Sequence, residues 1–252
     1  MHCELTILIP CLNEEKTLEK CIKKAKRFLL HNNINGEILI ADNNSVDNSR
    51  DIALKNGTRL IIVKKRGYGC ALREGIKNSN GEFIIMGDAD DSYDFLNMEL
   101  FVEKLREGYE LVIGNRFKGK IEKGAMPFMN RYIGNPVLSY IGKKIYKCSI
   151  NDFHCGLRGF NKKSILNLNL QCDGMEFASE MIIKAKINKL KMTEIPINLY
   201  KDGRNSKSNL RPVKDGIRHL KILFNYRNAV EKKGKAENTV TLDGYKADRH
   251  KV

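Results

Sequence analysis

The sequence predicts an α/β fold built on a mostly parallel, doubly wound sheet. Short apolar runs alternate with helical patterns over residues 1–115. Polar clusters follow several of those runs. The run Phe83-Ile84-Ile85-Met86 ends in Gly87-Asp88-Ala89-Asp90-Asp91, which crowds three carboxylates where a buried parallel strand stops. Open sheets of this kind bind ligands beyond the carboxyl ends of their strands, so the polar clusters should gather on one edge and form a pocket.

The elements follow in order. Residues 5–10 read as a first strand, with Pro10 and Asn13 marking its exit loop. Glu14 and Glu15 open a helix, where acids suit the positive N-terminal end, and Leu18, Ile22, Ala25 and Leu29 recur at helical spacing. Residues 37–41 form a second strand that ends at Asp42-Asn43-Asn44-Ser45. A helix over 46–56 and a strand over 60–63 come next. Gly67-Tyr68-Gly69 is a flexible loop before a helix at 71–78. Residues 83–86 are the fourth strand, 96–107 a helix and 110–113 the fifth strand.

Beyond residue 115 the regularity fades. Residues 118–147 are basic and glycine-interrupted, with apolar Met126, Phe128, Met129, Ile133, Val137, Leu138 and Ile141. Residues 175–187 predict a helix, and 192–199 a strand interrupted by Pro196. A polar loop at 202–210 precedes a basic amphipathic stretch at 213–227, where Val213, Ile217, Leu220 and Phe224 share one helical face. Such a helix suits either a membrane interface or packing on the core. Residues 1–230 form one domain, and the polar, aperiodic 231–252 is expected to be a disordered tail.

Composition narrows the function. A chain of 252 residues, 42% hydrophobic, can bury the core of one large domain. Seven cysteines, odd in number and without a CxxC pair, read as free thiols of a reducing compartment. The chain enters a strand pattern almost at once and has no long uncharged apolar run, so a cytoplasmic location is expected. Residues 1–115 carry 16 basic and 18 acidic side chains, a net of −2, whereas 116–252 carry 29 and 12, a net of +17. That asymmetry calls for an anionic partner of the second half: a nucleotide diphosphate, a lipid phosphate or an anionic membrane surface. Nucleic acid is not expected, because zinc-finger spacing and RNA-binding aromatic strands are missing.

The acidic cluster carries the chemistry. Carboxylates this close repel unless a cation sits among them, and hard oxygen donors select Mg²⁺ or Mn²⁺. Such an ion keeps part of its shell for substrate phosphates, so the cluster points to a diphosphate. Asp90 is the first candidate ligand, with Asp88 and Asp91 beside it.

In their order and spacing these motifs resemble a family 2 glycosyltransferase of the GT-A fold, in the polyprenyl-phosphate (dolichyl-phosphate) branch, over roughly residues 4–225. The resemblance implies that 1–117 bind the nucleotide sugar and 118–230 the acceptor. It implies that Pro10, Asn13 and Glu15 lie against the nucleoside and that Asp42 meets the base or ribose. Arg66 and Gly69 belong to a loop that lets the backbone approach the nucleotide. Asp88, Ala89 and Asp90 match the metal-binding motif, and Arg116 becomes a phosphate contact. Asp152 stands in the acceptor-side loop, where Arg158 either holds phosphate or braces the loop. Glu176 and Glu180 lie one turn apart on the following helix. Arg204 and Lys207 sit in a basic loop that offsets charge on the leaving nucleotide.

The implied reaction moves a hexose, with inversion, from a UDP-glucose- or GDP-mannose-type donor to a polyprenyl phosphate. A phosphate monoester, with its second pKa near about 6, is already a nucleophile. Asp152 would then orient rather than take a proton. A hydroxyl acceptor, as in cell-wall, polysaccharide or other glycan synthesis, needs a base from Asp152, Glu176 or Glu180. An enzyme peripheral to the cytoplasmic membrane face fits the branch. A nucleotidyltransferase would place a glycine-rich basic loop after the first strand, where residues 11–16 hold acids and no glycine. A non-catalytic sugar-nucleotide module would not need the intact acidic cluster.

Overall fold

A computed structural model describes residues 3–204 and 212–227. Lys207 and the tail at 231–252 lie outside the described residues. The described chain forms one mixed sheet of seven strands flanked by helices.

The first half builds as its hydrophobic pattern demands. Strand β1 (Leu5–Cys11) is buried along its whole length, and β2 (Gly36–Asp42) is buried from Ile38 onward. They pair in parallel from Leu5 opposite Gly36 to Cys11 opposite Asp42. Between them α1 (Leu18–His31) buries Leu18, Cys21, Ile22, Ala25 and Phe28, the one-face stripe of an amphipathic helix. Helix α2 (Ser49–Lys55) leads to β3 (Arg59–Ile62), an edge strand parallel to β2. Helix α3 (Tyr68–Asn78) returns the chain to β4 (Phe83–Met86), parallel to β1 on its other side. Helix α4 (Glu99–Arg106) precedes β5 (Leu111–Asn115).

The second half keeps the expected helix near 175–187, strand from 192 and helix near 213–227, and departs from the expected pattern before them. A π-helical turn (Asn130–Gly134) runs into α5 (Asn135–Tyr146) inside the stretch read only as basic and glycine-interrupted. The supposed acceptor loop contains β6 (Arg158–Asn161), which inserts antiparallel between β4 and β5. Then come α6 (Lys162–Leu166), α7 (Phe177–Ile187), β7 (Met192–Pro196) parallel to β5, and α8 (Pro212–Asn225). The strand order is β3-β2-β1-β4-β6-β5-β7. Helices α5, α7 and α8 pack on one another.

Arg158 explains why β6 escaped a periodicity reading. It is fully buried in a strand of only four residues that also holds a glycine. Its guanidinium donates to the backbone carbonyls of Cys155 at 2.8 Å, Ala178 at 2.7 Å and Phe153 at 2.7 Å. Of the two roles open to Arg158, the bracing one is what these bonds describe: it ties β6, the 153–155 turn and α7 together. The same order places the carboxyl ends of β1, β2, β4 and β5 on one edge, with the start of β6 beside the end of β4.

Candidate active site

A cavity of about 350 Å³ opens on that edge. Its walls come from the ends of β1 and β2, the start of α3, the acidic turn after β4, residues 174–175, Arg204 and α8. Pro10, Arg66, Asp88, Ala89, Asp90 and Arg204 of the expected site line it.

The acidic turn is built by local bonds. Ser92 donates to Asp90 Oδ1 from its backbone N–H at 3.0 Å and its hydroxyl at 2.6 Å. Asp90 Oδ2 is left facing Arg204, at 3.5 Å. Asp88 accepts from the Tyr68 hydroxyl at 2.9 Å. Burial first, and then the Asp90 charge, pushes the Asp88 carboxyl up to about 6. The fold thus holds two carboxylates together against their repulsion, in hard-oxygen chemistry that a Mg²⁺ or Mn²⁺ ion relieves. Among the described residues no group of three His, Cys, Asp or Glu side chains is placed to hold an ion without substrate. Asp91 is turned elsewhere. With φ at 62° it pairs with Lys20 at 2.5 Å and Lys24 at 2.7 Å, pinning α1 to the turn.

The loops after β1 and β2 are stitched to each other. Asn13, at φ 59°, receives the Val46 N–H on its side-chain oxygen at 2.8 Å. Glu15 accepts from the Asn48 backbone and side chain. Asp42 is fully buried and holds Arg50 at 2.7 Å and the N–H groups of Asn44 and Ser45. Asn13, Glu15 and Asp42 therefore tie the two loops together and stand behind the cavity wall. Asn43 lines it instead, accepting from the Gly67 N–H at 2.7 Å and donating to the Val63 and Lys65 carbonyls.

The glycine loop makes a close approach, but to protein backbone. A Cβ on Gly69 would sit 2.1 Å from the Cys172 carbonyl oxygen, and one on Gly67, at φ 144°, 2.2 Å from that of Asp173. The Gly69 N–H at the start of α3 donates to the Asp173 carbonyl at 2.9 Å. The glycines thus bring the 172–173 segment against α3 and set the far wall of the cavity. Backbone cannot yield as a flexible side chain can, so Gly69→Ala should lower stability by about 1–3 kcal/mol. Thermal melts check this, and an unchanged melting temperature would contradict the packing argument.

Arg116 and Asp152 are spent on each other. Arg116 donates from its backbone N–H at 3.1 Å, from Nε at 2.8 Å and from a terminal nitrogen at 2.8 Å, and Asp152 is fully buried. Arg116 also lines a second pocket of about 350 Å³ with Phe117, Arg131 and Tyr132. Beyond it lies an exposed apolar face. Phe128 is 70% exposed, Met129 61%, Tyr132 58% and Tyr140 61%. Phe128 stacks on Tyr132 with ring centroids 4.8 Å apart, and Arg131 and Lys144 lie over the rings of Tyr132 and Tyr140.

The two glutamates of the α7 region have different surroundings. Glu180 is fully buried and accepts the N–H groups of Gln171 and Cys172, with Lys184 at 2.9 Å. Burial raises its carboxyl, but the Cys172 N–H, Lys184 and the Gln171 N–H outweigh that and hold it below the usual range. Its role here is to anchor the 171–172 segment. Glu176 precedes α7, beside cavity residues Gly174, Met175 and Arg218. Its Oε1 accepts the Gly174 N–H at 3.3 Å. Its Oε2 is buried without a hydrogen bond among the described residues, 4.0 Å from Arg218.

The sequence reading missed Glu14, Tyr68, Met175, Asp215 and Arg218 as cavity residues and placed Asn43 only within the loop after the second strand. Glu14 and Tyr68 lie inside motifs already singled out, so their neighbours were the available signal. Asp215 and Arg218 arrive only because α8 packs on α7.

Behind the cavity, His154 meets His219 edge-on at 4.4 Å, and His219 Nδ1 lies 2.8 Å from the Ser179 hydroxyl. Burial pushes the His219 imidazole down to about 4 and His154 lower than an ordinary histidine. A folded pKa depressed below the unfolded value near 6.5 means that the unfolded chain binds more protons. Stability is therefore lost as pH falls through 6.5 towards 4. From pH 7 to 5, His219 should cost roughly 2 kcal/mol. Melts of the unaltered chain and of His219→Gln across that range test this, and parallel curves would refute it.

Comparison with known proteins decides the family. The sequence profile described as "Glycosyl transferase family 2" matches residues 6–168. The chain belongs to glycosyl transferase family 2. A low-salt glycan biosynthesis hexosyltransferase of Haloferax volcanii is 34% identical over 221 residues, 87% of this chain and 53% of the relative, so the chain spans about half of that relative's length. A dolichyl-phosphate hexose transferase of the same organism is 24% identical over 196 residues, covering 77% of this chain and 82% of the relative. Glucosyl-3-phosphoglycerate synthase from Mycobacterium tuberculosis, solved with Mn²⁺, UDP and glucosyl-3-phosphoglycerate, superposes with a TM-score of 0.69 at 18% identity, covering 89% of this chain and 80% of that one. This family 2 chain has the expected GT-A fold, with its mostly parallel sheet and flanking helices. No helix among its described residues is long and apolar enough to cross a membrane.

Proposed function

We propose that this family 2 glycosyltransferase moves a hexose, with inversion, from a nucleotide diphosphate sugar to a polyprenyl phosphate at an anionic membrane surface. The observation that carries the acceptor is the exposed apolar face beside the Arg116 pocket. Met129, Ile133, Val137 and Tyr140 recur at helical spacing and are all exposed. Residues 118–147 carry seven lysines and arginines against Glu122 alone. A lipid chain needs apolar contact and its headgroup needs cations, and this face supplies both. A small soluble acceptor, even an anionic one, does not require the apolar face.

In this reading Asp88 and Asp90 hold a Mg²⁺ or Mn²⁺ ion, which when bound neutralises charge on the leaving diphosphate. Arg204 and Lys207 add to that electrostatic stabilisation, and Asp42, Asn13, Glu15, Pro10 and Arg66 frame the nucleoside. Asp152 fixes Arg116 where it lines the second pocket, so in this reading Asp152 orients a phosphate contact rather than takes a proton. A phosphate oxygen attacks the anomeric carbon as the bond to the nucleotide diphosphate breaks, and no base is required. The relative that acts on dolichyl phosphate and the solved relative that holds UDP and Mn²⁺ are consistent with this reading.

Nucleotide release from UDP- and GDP-sugars with Mg²⁺ or Mn²⁺, with and without a short polyprenyl phosphate, tests it. Release that needs both metal and lipid phosphate is expected. Release without lipid stimulation would move the acceptor to a hydroxyl. That second reading has one observation of its own, the buried Glu176 Oε2 without a hydrogen bond among the described residues, next to the cavity residue Met175. Flotation with anionic vesicles at low salt tests the surface separately. Binding is expected for the unaltered chain and should be lost in Phe128→Ser/Tyr132→Ser. Failure of the unaltered chain to bind would remove the membrane from the proposal.

A further inference from the structure

Arg204 is surrounded by acids. Its Nε donates to Glu14 Oε2 at 2.8 Å, a terminal nitrogen donates to Glu14 Oε1, and the same nitrogen lies 3.5 Å from Asp90 Oδ2. The neighbouring Gly203 N–H donates to the Asp90 carbonyl at 2.9 Å, so the chain is fastened to the acidic turn at this point. Glu14 is 5% exposed, and Thr17 lies against its Oε2. Glu14, Asp88, Asp90 and Arg204 all line the main cavity.

One guanidinium thus faces two carboxylates, Glu14 and Asp90, with Asp88 in the same cavity, where the functional reading above, on which this inference rests, puts a divalent ion and a diphosphate. Two competitions follow from charge. Arg204 and a cation repel each other and share Asp90. Glu14 and a diphosphate both seek the Arg204 fork, which suits bidentate recognition of either. We infer that Glu14 is a positioning residue that acts through Arg204: it holds the guanidinium against the acidic turn until the diphosphate takes it over, which releases Asp90 to the metal. Metal and nucleotide should therefore bind with positive coupling, because the nucleotide removes the cation that opposes the metal.

Binding measurements test this without turnover. Mn²⁺ affinity is read from the free-ion electron paramagnetic resonance signal in the absence of nucleotide. Affinity for whichever of UDP and GDP the unaltered chain binds is read by calorimetry at saturating Mn²⁺. Arg204→Gln should tighten Mn²⁺ alone on the order of tenfold, the effect of removing a like charge within a few ångströms, and should weaken the nucleotide. Arg204→Lys keeps the charge and should keep the original Mn²⁺ affinity. Glu14→Gln should tighten the nucleotide several-fold, a gain that disappears when combined with Arg204→Gln.

Unchanged or weaker Mn²⁺ binding in Arg204→Gln, with melts showing a folded protein, would overturn the inference. So would a Glu14→Gln chain that loses nucleotide affinity as Arg204→Gln does, since Glu14 would then be a fixed brace. If the unaltered chain bound neither Mn²⁺ nor nucleotide, the functional reading itself would fall, and this inference with it.

Discussion

Asp90→Asn should reduce turnover by at least about 10²–10³-fold and abolish the dependence of nucleotide affinity on Mn²⁺. Asp90 is the acid best placed to lose nothing but its charge. Its Oδ1 is fixed by the Ser92 N–H and hydroxyl. Asparagine retains that acceptor with its amide oxygen, so the turn survives. Its Oδ2 faces the cavity and Arg204, and only there does the substitution remove a negative charge. Stability should change little, because the −2 charge crowding of Asp88 and Asp90 is relieved. Initial rates with metal, paired with thermal melts, separate the two effects. A variant that keeps wild-type rates would remove Asp90 from the metal role and with it the diphosphate reading. Asp91→Asn is the contrasting case, since Asp91 is paired with Lys20 and Lys24. It should loosen α1 while leaving metal dependence in place.

Arg158→Leu should destabilise the fold by about 3–5 kcal/mol, a large fraction of what a domain this size has. The leucine leaves the turn carbonyls of Phe153 and Cys155 buried without their donor and takes a second donor from the Ala178 carbonyl, which lies inside α7. Each orphaned acceptor costs about 1–3 kcal/mol, partly offset because a charged guanidinium no longer has to be buried. Burial already pulls the Arg158 pKa down, which marks that cost in the native chain. Arg158→Lys restores a charge but not the three-way fork, so it should recover only part of the loss. Urea midpoints of the three proteins check the order. An Arg158→Leu midpoint equal to that of the unaltered chain would refute the bracing role. Because Arg158 also shapes the turn carrying Asp152, activity should fall with stability, and rates are to be compared at a temperature where the variant is folded.

Much of the first half was legible because its signals are local. A parallel strand buried on both faces is a continuous apolar run, and residues 5–10 and 83–86 are such runs ending in loop residues. The structural strands Leu5–Cys11 and Phe83–Met86 follow them closely. The acidic turn was legible for the same reason: three like charges in five residues have few structural uses. The amphipathic stripe of α1 needed no partner to be recognised, since its spacing is a property of the helix itself.

The second half was decided by partners far along the chain. Strand β6 is short, holds a glycine and places an arginine in the core, so no periodicity marks it. The carbonyls of Phe153, Cys155 and Ala178, brought together by the 153–155 turn and α7, satisfy that arginine's donors. The glycine loop read as a place for a ligand because a glycine pair permits close approach. The sequence does not say what approaches, and the 172–173 backbone lies more than a hundred residues away. The same holds for Arg116 with Asp152 and for Glu14 with Arg204, pairs whose charges were visible and whose partners were not. Local chemistry by itself determined the parallel half-sheet, the acidic turn and the charge asymmetry. Tertiary structure decided which charged groups face the cavity and which are spent on one another, because a buried charge must be matched in space by groups that sequence distance does not reveal.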